Sequence, residues 1–167
     1  MWVLRHAKAA AHGPDDHSRP LTARGQRQAT ELGHYLARAP FAGFPVPELV
    51  LCSSARRAVQ TAELVTAQLA TPVELTVERG LYTADVDDVV EIVRANGGEV
   101  PSVLVVGHNP TLQALAVLLL ERDGVGRARL EDRFPTAALA VISVPVTSWA
   151  NMSLGTGTLV ELRTPGP

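Results

Sequence analysis

The sequence predicts an α/β three-layer sandwich in which helices flank a largely parallel central sheet. Short apolar runs rich in β-branched residues alternate with longer stretches of helical spacing, a pattern typical of strand–helix–strand units. One run, Ser102–Val106, is continuously apolar, as expected of a strand buried on both faces of a parallel sheet. A chain of 167 residues can bury a sizeable core, so we expect a single domain over residues 1–167.

Local signals place the elements in chain order. A first strand over Trp2–Leu4 precedes a polar loop, and Thr22 is placed to cap a helix that ends near Arg38. Ser54 is predicted to cap the second helix, and Asn109, which precedes a proline, the fourth. The other predicted elements are a proline- and glycine-rich linker over 39–47, strands over Glu48–Cys52, Val73–Val77 and Ser102–Val106, helices over about 55–70 and 85–95, and strands over Ala138–Val144 and Thr158–Leu162.

Composition excludes several classes of function. The 15 basic and 17 acidic residues give a net charge of -2, which offers no electrostatic basis for binding nucleic acid or an anionic membrane. Cys52 is the only cysteine, so an internal disulfide or a cysteine-based metal cluster is impossible. The longest apolar run, Ala114–Leu120, is too short to span a bilayer, and the first residues do not resemble a signal peptide. We therefore expect a cytoplasmic protein.

Charged side chains follow three of the predicted strands. Arg5 and His6 come directly after the first strand, Arg57 opens the helix after the second, and His108 follows the fourth. In open α/β sheets, ligands bind in the crevice beyond the carboxyl ends of the strands. We therefore expect these four side chains to converge on one crevice if the three strands are neighbours.

The second predicted helix begins with two cations, Arg56 and Arg57. Cations are unfavourable there because the macrodipole makes a helix N-terminus positive. A bound anion would reverse that effect, since helix N–H groups and guanidinium groups both bind phosphate oxygens. The crevice is therefore predicted to hold a phosphate-like dianion beside two imidazoles, and a neutral imidazole is a good nucleophile.

Several segments, taken in order, resemble the histidine phosphatase (phosphoglycerate mutase-like) superfamily. Leu4–Ala7 is similar to its R-H-G signature, with Ala7 in place of glycine, and Ser53 with Arg57–Thr61 is similar to S-x-x-x-R-A-x-Q-T. Val105–Asn109 resembles the segment that holds the second histidine. Two further segments, Asp16–Thr22 and Phe134–Leu139, make the chain most similar to the short SixA-like phosphohistidine phosphatase branch. The resemblance runs from the first strand to about residue 144.

The resemblance implies roles for individual residues. His6 would be the nucleophile that is transiently phosphorylated, while Arg5, Arg57 and His108 would hold the phosphoryl oxygens. Water would then hydrolyse the phosphohistidine, and no metal or cofactor is implied because side chains supply the positive charge. Asp16 and Arg19 are candidate substrate-binding residues at the pocket mouth. Arg19 could equally stabilise the loop, and Asp16 could stabilise the turn in which it lies.

The chain departs from the family pattern at the general acid. Many members place a glutamate directly before a Leu-Tyr pair, and here Gly80 occupies that position. The candidate acids are Asp16, Glu78 and Asp85. A phosphohistidine leaving group is an imidazole that can already carry a proton, so the departure favours a phosphoramidate substrate over a sugar phosphate.

Other polar residues have simpler interpretations. His12, His17 and His34 are interpreted as loop or exposed-face residues. A metal site built from His12, Asp15, Asp16 and His17 is disfavoured because no two of them have helical i, i+4 spacing on a predicted helix. Thr136 is a weaker candidate for contributing a hydroxyl or backbone N–H to the pocket.

The sequence therefore predicts a metal-independent phosphatase that acts through a phosphohistidine at His6. The segments between Leu36 and Leu51 and over 79–101 leave little room for a cap over the site, which favours a phosphorylated protein, such as one carrying phosphohistidine in a signalling pathway, with inorganic phosphate as product. A phosphatase of small phosphomonoesters is the first alternative. A non-catalytic module that binds phosphate or a phosphoprotein is the second, and family resemblance alone does not fix the substrate.

Overall fold

The computed structural model describes residues 1–38, 44–122 and 126–166, which form a six-stranded mixed sheet flanked by helices. The elements in chain order are β1 Trp2–Arg5, α1 Ala23–Arg38, β2 Leu49–Ser53, α2 Arg56–Thr66, β3 Glu74–Glu78, α3 Val86–Asn96, β4 Val103–Gly107, α4 Thr111–Leu119, α5 Arg127–Asp132, β5 Leu139–Ser143 and β6 Thr158–Arg163. Two short 3-10 helices cover Arg79–Tyr82 and Trp149–Asn151. The predicted α/β sandwich is confirmed.

The strand order is β3-β2-β4-β1-β5-β6. The pairs β3–β2, β2–β4 and β4–β1 are parallel, whereas β5 and β6 are antiparallel to their neighbours. Arg5 pairs with Gly107 at the end of the β1–β4 ladder, so the residues that follow, His6 and His108, leave the sheet side by side. The parallel half of the sheet thus determines where the charged strand ends meet.

Both faces of the central strands β1, β2 and β4 are buried. Leu4 packs on the face covered by α1 and α2, while Val3 packs on the face that contains residues of α3 and α4, because successive strand side chains point to opposite faces. Cys52 lies fully buried in β2, and burial raises the pKa of its thiol to about 12. This thiol is therefore protonated and inert.

The predicted Thr22 cap is confirmed, but the Ser54 cap is wrong. The Thr22 hydroxyl oxygen accepts a hydrogen bond from the Gly25 N–H at 3.0 Å. Helix α2 begins at Arg56 with Ala55 in the N-cap position and no side-chain cap, and it ends at Thr66, short of the predicted residue 70. The Ser54 hydroxyl instead lies 2.9 Å from Nε2 of His17, so a long-range partner replaces the local cap.

The predicted Asn109 cap is also wrong. Helix α4 begins at Thr111, with Pro110 in the N-cap position and no side-chain cap. Asn109 Nδ2 donates to the Phe134 carbonyl at 2.9 Å and to Gln113 Oε1 at 3.1 Å. The amide therefore ties the end of β4 to the segment before β5.

Some elements were not predicted from the sequence. Helix α5 and the 3-10 helix over Arg79–Tyr82 are too short to show a clear helical period. Residues 39–43 of the predicted linker lie outside the described residues. None of the helices in the described ranges has the length and apolar character needed to cross a bilayer.

Candidate active site

The carboxyl edge of the sheet brings His6 and His108 together. The backbone N–H of His6 donates to the Gly107 carbonyl at 3.0 Å, which extends the β1–β4 ladder by one bond. The two imidazole rings consequently lie with their centroids 5.1 Å apart. Arg5 ends the same strand, and Arg57 reaches this point from the first turn of α2. The four side chains that follow the three strands thus share one crevice.

The tautomer of His6 follows from its hydrogen bonds. Nδ1 lies 2.8 Å from the Ala7 carbonyl, which can only accept, so Nδ1 carries the hydrogen. Nε2 therefore has a free electron pair, and the Nε–H of Arg57 donates to it at 3.3 Å. Burial, followed by the neighbouring arginines, lowers the pKa of His6 to about 4. The ring is neutral at neutral pH, which is the state required of a nucleophile.

Arg57 is the most buried cation of the site, at 5% exposure. Its Nη1 donates to the Asp16 carbonyl at 2.6 Å, and its Nη2 donates to Asp16 Oδ2 at 3.0 Å. The Thr61 hydroxyl donates to the Arg57 carbonyl at 2.6 Å and accepts from the Ala7 N–H at 3.0 Å. Thr61 thus fixes the first turn of α2 against the segment that follows His6.

Ser53 holds the second imidazole. Nε2 of His108 lies 2.7 Å from the Ser53 hydroxyl, and Nδ1 lies 3.5 Å from Nη2 of Arg57, which can only donate. Nδ1 is therefore the acceptor, and Nε2–H donates to Ser53. Burial, with His6 and Arg57 nearby, lowers the pKa of His108 to about 3. The sequence motif contained Ser53, but its contact with His108 was not predicted.

Arg5 has an unused donor. Its Nη1 donates to the Phe134 carbonyl at 2.9 Å, whereas its buried Nε makes no hydrogen bond to any described residue. Burial lowers the pKa of the guanidinium from its ordinary value. A buried donor without a partner is costly, so an oxyanion bound here would satisfy it.

Asp16 and Arg19 lie at the mouth of the crevice. Asp16 Oδ1 accepts from Arg19 Nε at 2.9 Å, while Oδ2 accepts from the Tyr82 hydroxyl at 2.7 Å and from Arg57. These bonds, with Tyr82 first and Arg19 next, hold the pKa of Asp16 well below its usual range. Arg19 also donates to the Ala10 carbonyl at 2.8 Å, so it braces the loop as well as reaching the mouth.

Tyr82 was not among the predicted site residues. Its ring stands edge-on to His108, with centroids 5.7 Å apart, and edge-on to His17 at 4.9 Å. His17 is exposed, as interpreted from the sequence, but it also lies against the site through Tyr82 and Ser54. The Leu-Tyr pair that marked the missing glutamate was the sequence signal that could have identified Tyr82.

The three candidate acids have different environments. Asp85 caps α3, because its side chain accepts from the Asp88 N–H at 2.9 Å in a reciprocal capping box. Glu78 lies beside Ser53 in the β2–β3 register, but its side chain makes no hydrogen bond or ion pair to a site residue within the described ranges. Asp16 is ionised. Asp85 is thus the N-cap of α3, and Asp16 acts here as a hydrogen-bond acceptor and not as a proton donor.

The remaining polar candidate, Thr136, lines a groove next to the crevice together with Lys8, Arg24 and Arg133. Across residues 1–38, 44–122 and 126–166, no three His, Cys, Asp or Glu side chains lie together as metal ligands would. The positive charge of the crevice comes from arginine side chains.

This site and fold define a class of protein. The family model of the histidine phosphatase superfamily (branch 1) matches residues 1–89, and the chain belongs to this superfamily. It is a phosphatase of the phosphoglycerate mutase-like fold, and the predicted family is confirmed.

Several known proteins are similar over nearly the whole chain. The uncharacterized protein Rv1276c of Mycobacterium tuberculosis is 39% identical over 166 residues, which cover 97% of this chain and 99% of that protein. A structure bearing the name phosphohistidine phosphatase SixA, from Nakamurella multipartitia, superposes with a TM-score of 0.83 at 29% identity, covering 98% of this chain and 94% of that one. The protein histidine phosphatase SixA complexed with tungstate superposes with a TM-score of 0.74 at 28% identity, covering 96% and 94%. Within the superfamily, the chain is therefore SixA-like.

Proposed function

We propose that this phosphatase hydrolyses phosphohistidine on a protein, without a metal ion, through a phosphorylated intermediate at His6. One observation carries the proposal: Nε2 of His6 is unprotonated and faces the guanidinium of Arg57 at 3.3 Å. A nucleophile and a phosphate-binding cation are thus in direct contact before any substrate is bound.

The first step transfers the phosphoryl group to the enzyme. Its oxygens bind between Arg5 and Arg57, beside the neutral ring of His108, whose Nε2–H is held by Ser53. The unused Nε–H of Arg5 and the Arg57 guanidinium stabilise the negative charge. The electron pair on Nε2 of His6 forms a new P–N bond as the P–N bond of the substrate breaks. The leaving imidazole keeps that electron pair and carries a proton on its other nitrogen or takes one from solvent.

The second step regenerates the enzyme. A water molecule attacks phosphorus, a P–O bond forms, the P–N bond to His6 breaks, and Nε2 regains its electron pair. The proton lost by the water passes to solvent, and inorganic phosphate leaves. Arginine side chains supply positive charge throughout, which supports the metal-independent reaction.

Three observations support a protein-bound phosphohistidine as substrate. The mouth of the crevice is open, since the side chain of Asp16 is 53% exposed and His17 is also exposed. Neither Asp16 nor Asp85 is placed to donate a proton to an alkoxide, which favours a leaving group that departs with little general acid catalysis. The chain also resembles two structures bearing the name SixA over at least 96% of its length, and one of these holds tungstate, a tetrahedral oxyanion.

The same comparisons support one domain over residues 1–167, because the similar structures extend well beyond the part matched by the family model. The cytoplasmic location stays a prediction from the sequence.

One feature favours the alternative of a small phosphomonoester. A cavity of about 180 Å³ lies beside Tyr82 and His108 and is lined mainly by apolar residues, including Leu81, Ala84 and Pro110. It could accept a compact leaving group. Direct comparison of substrates separates the two functions.

The test measures kcat/KM for a phosphohistidine peptide, an aryl phosphate and an alkyl phosphate. We expect the peptide to be hydrolysed fastest and the alkyl phosphate slowest, because the crevice offers little acid assistance. Adding a chelator should leave all three rates unchanged. An alkyl phosphate that is hydrolysed as fast as the phosphohistidine peptide would contradict the proposed substrate class.

A further inference from the structure

A basic groove lies next to the crevice and has no part in the chemistry described above. It encloses about 390 Å³ between the start of α1 and the segment before β5. Its lining residues include Lys8, Arg24 and Arg133 and, among the described residues, no carboxylate. An adjoining hollow of about 360 Å³ shares Arg24 and adds Arg27, together with one acid, Glu31. The net charge of the whole chain is -2, so this concentration of positive charge is local.

The walls of the groove continue the segments that build the crevice. Lys8 is two residues after His6, so their Cα atoms are at most about 7.6 Å apart. Arg133 precedes Phe134, whose carbonyl accepts from Arg5 at 2.9 Å. Thr136 precedes Ala137, whose N–H donates to the His6 carbonyl at 3.1 Å. A substrate that presents its phosphoryl group to His6 would extend naturally over this groove.

The cations of the groove lack anionic partners. Lys8, Arg24, Arg27 and Arg133 are exposed, and none of them forms an ion pair with a carboxylate within the described part of the chain. Arg24 lies in the first turn of α1, which contains no acidic residue. A cation is unfavourable at that end of a helix, and an anionic partner would offset the effect.

We propose that the basic groove docks an acidic surface of the phosphoprotein substrate beside its phosphohistidine. This inference rests on the proposed function and names the surface chemistry of the partner. A protein surface fits better than a small polyanion because the cations are exposed and spread over two hollows, whereas an enclosed polyphosphate site would bury its guanidinium groups. Exposed charges of this kind raise the association rate and select the partner.

The test compares two phosphohistidine peptides of equal length, one with aspartate and glutamate around the histidine and one with serine and asparagine. Para-nitrophenyl phosphate reports the basal activity, and 1,4-butanediol bisphosphate represents a small polyanion. The groove variant combines Arg24→Glu with Arg133→Glu. Arg122→Glu is the control for a single charge reversal away from the groove, at an exposed arginine just after α4, at the opposite edge of the sheet from the crevice.

We expect the wild type to hydrolyse the acidic peptide with a kcat/KM about tenfold above that of the neutral peptide, a ratio that falls toward one in about 0.5 M salt. The groove variant should lose the preference for the acidic peptide but keep wild-type rates on the neutral peptide and para-nitrophenyl phosphate. Arg122→Glu should behave like the wild type.

Four outcomes would overturn the inference. Equal rates on both peptides in the wild type, or a preference that survives in the groove variant, would remove the docking role while leaving the proposed function intact. If the groove variant loses activity only on 1,4-butanediol bisphosphate, the groove binds a small polyanion instead of a protein surface. Hydrolysis of para-nitrophenyl phosphate but of neither peptide would refute the phosphohistidine function itself, and the docking inference would fail with it.

Discussion

Arg57 joins the nucleophile His6 to the mouth residue Asp16. Its Nε lies 3.3 Å from Nε2 of His6, while its Nη1 and Nη2 bind the carbonyl and carboxylate of Asp16 at 2.6 and 3.0 Å. All three guanidinium nitrogens are thus used in the free enzyme. Nη2 carries two hydrogens, one bound by the Asp16 carboxylate and one directed at Nδ1 of His108 at 3.5 Å, so a phosphoryl oxygen that binds Nη2 competes with one of these two acceptors.

Replacing Arg57 should impair turnover even when the charge is retained. Arg57→Lys keeps a cation but cannot contact His6 and Asp16 at once, so we expect kcat/KM to fall by about 10²–10³, as for the loss of an oxyanion donor. The control is Arg56→Lys, the same change at the exposed neighbour, which should stay near the wild type. Equal losses in both variants, measured by steady-state kinetics, would contradict the assignment.

The imidazole of His6 should stay neutral well into the acid range. Its pKa is lowered from 6.5 to about 4, so the native state excludes a proton that the unfolded chain binds below about pH 6.5. The stability contributed by the neutral ring is present above pH 6.5 and is lost as the pH falls from 6.5 toward 4. An NMR titration of the ring, assigned with His6→Ala, measures this pKa. A midpoint near 6.5 would be incompatible with the buried, arginine-facing site.

Removing the charge of Asp16 should strengthen binding of inorganic phosphate. Asp16 Oδ2 occupies Nη2 of Arg57 and competes with a phosphate oxygen. Asp16→Asn should lower the inhibition constant of phosphate by about two- to fivefold, the range for exposed ion pairs. Asp15→Asn makes the same change in a carboxylate that accepts from the Ser18 N–H, and it should have little effect. Weaker phosphate binding in Asp16→Asn would mean that Asp16 positions Arg57 instead of competing for it.

Gly25 should be required for close packing of α1 against the loop after β1. A Cβ at this position would clash with the Lys8 carbonyl oxygen, which is a backbone atom. Gly25→Ala should lower the free energy of unfolding by about 1–3 kcal/mol, as overpacking does. In Gly80→Ala the new Cβ meets only the end of the Ile92 side chain, at 3.3 Å. The free energy of unfolding measured in urea should therefore change little. Equal stability of the two variants would contradict this packing.

The fold and the meeting of the charged strand ends could be predicted from the sequence because both follow from parallel connectivity. Apolar runs separated by helices require the carboxyl ends of β1, β2 and β4 to share an edge. The register of Arg5 against Gly107 then places the two histidines together. The sequence motifs that identify the family lie at the ends of β1, β2 and β4, so the family could be predicted from the same segments.

The missed features depend on contacts between segments distant in sequence. Ser54 and Asn109 have the side chains of good caps, but His17 and the Phe134 carbonyl compete for them. Tyr82 reaches Asp16 across 66 residues of sequence, along a path set by a short 3-10 helix. Local propensity contains no information about such partners.

The central claim is that His6 carries the phosphoryl group. Rapid acid-free quenching of the wild type with a phosphohistidine peptide, followed by intact-mass spectrometry, tests it directly, with His6→Ala and His34→Ala measured in parallel. We predict an acid-labile phosphoryl adduct that maps to His6 and forms in the wild type and His34→Ala but not in His6→Ala. An adduct on another residue, or full turnover by His6→Ala, would contradict the account.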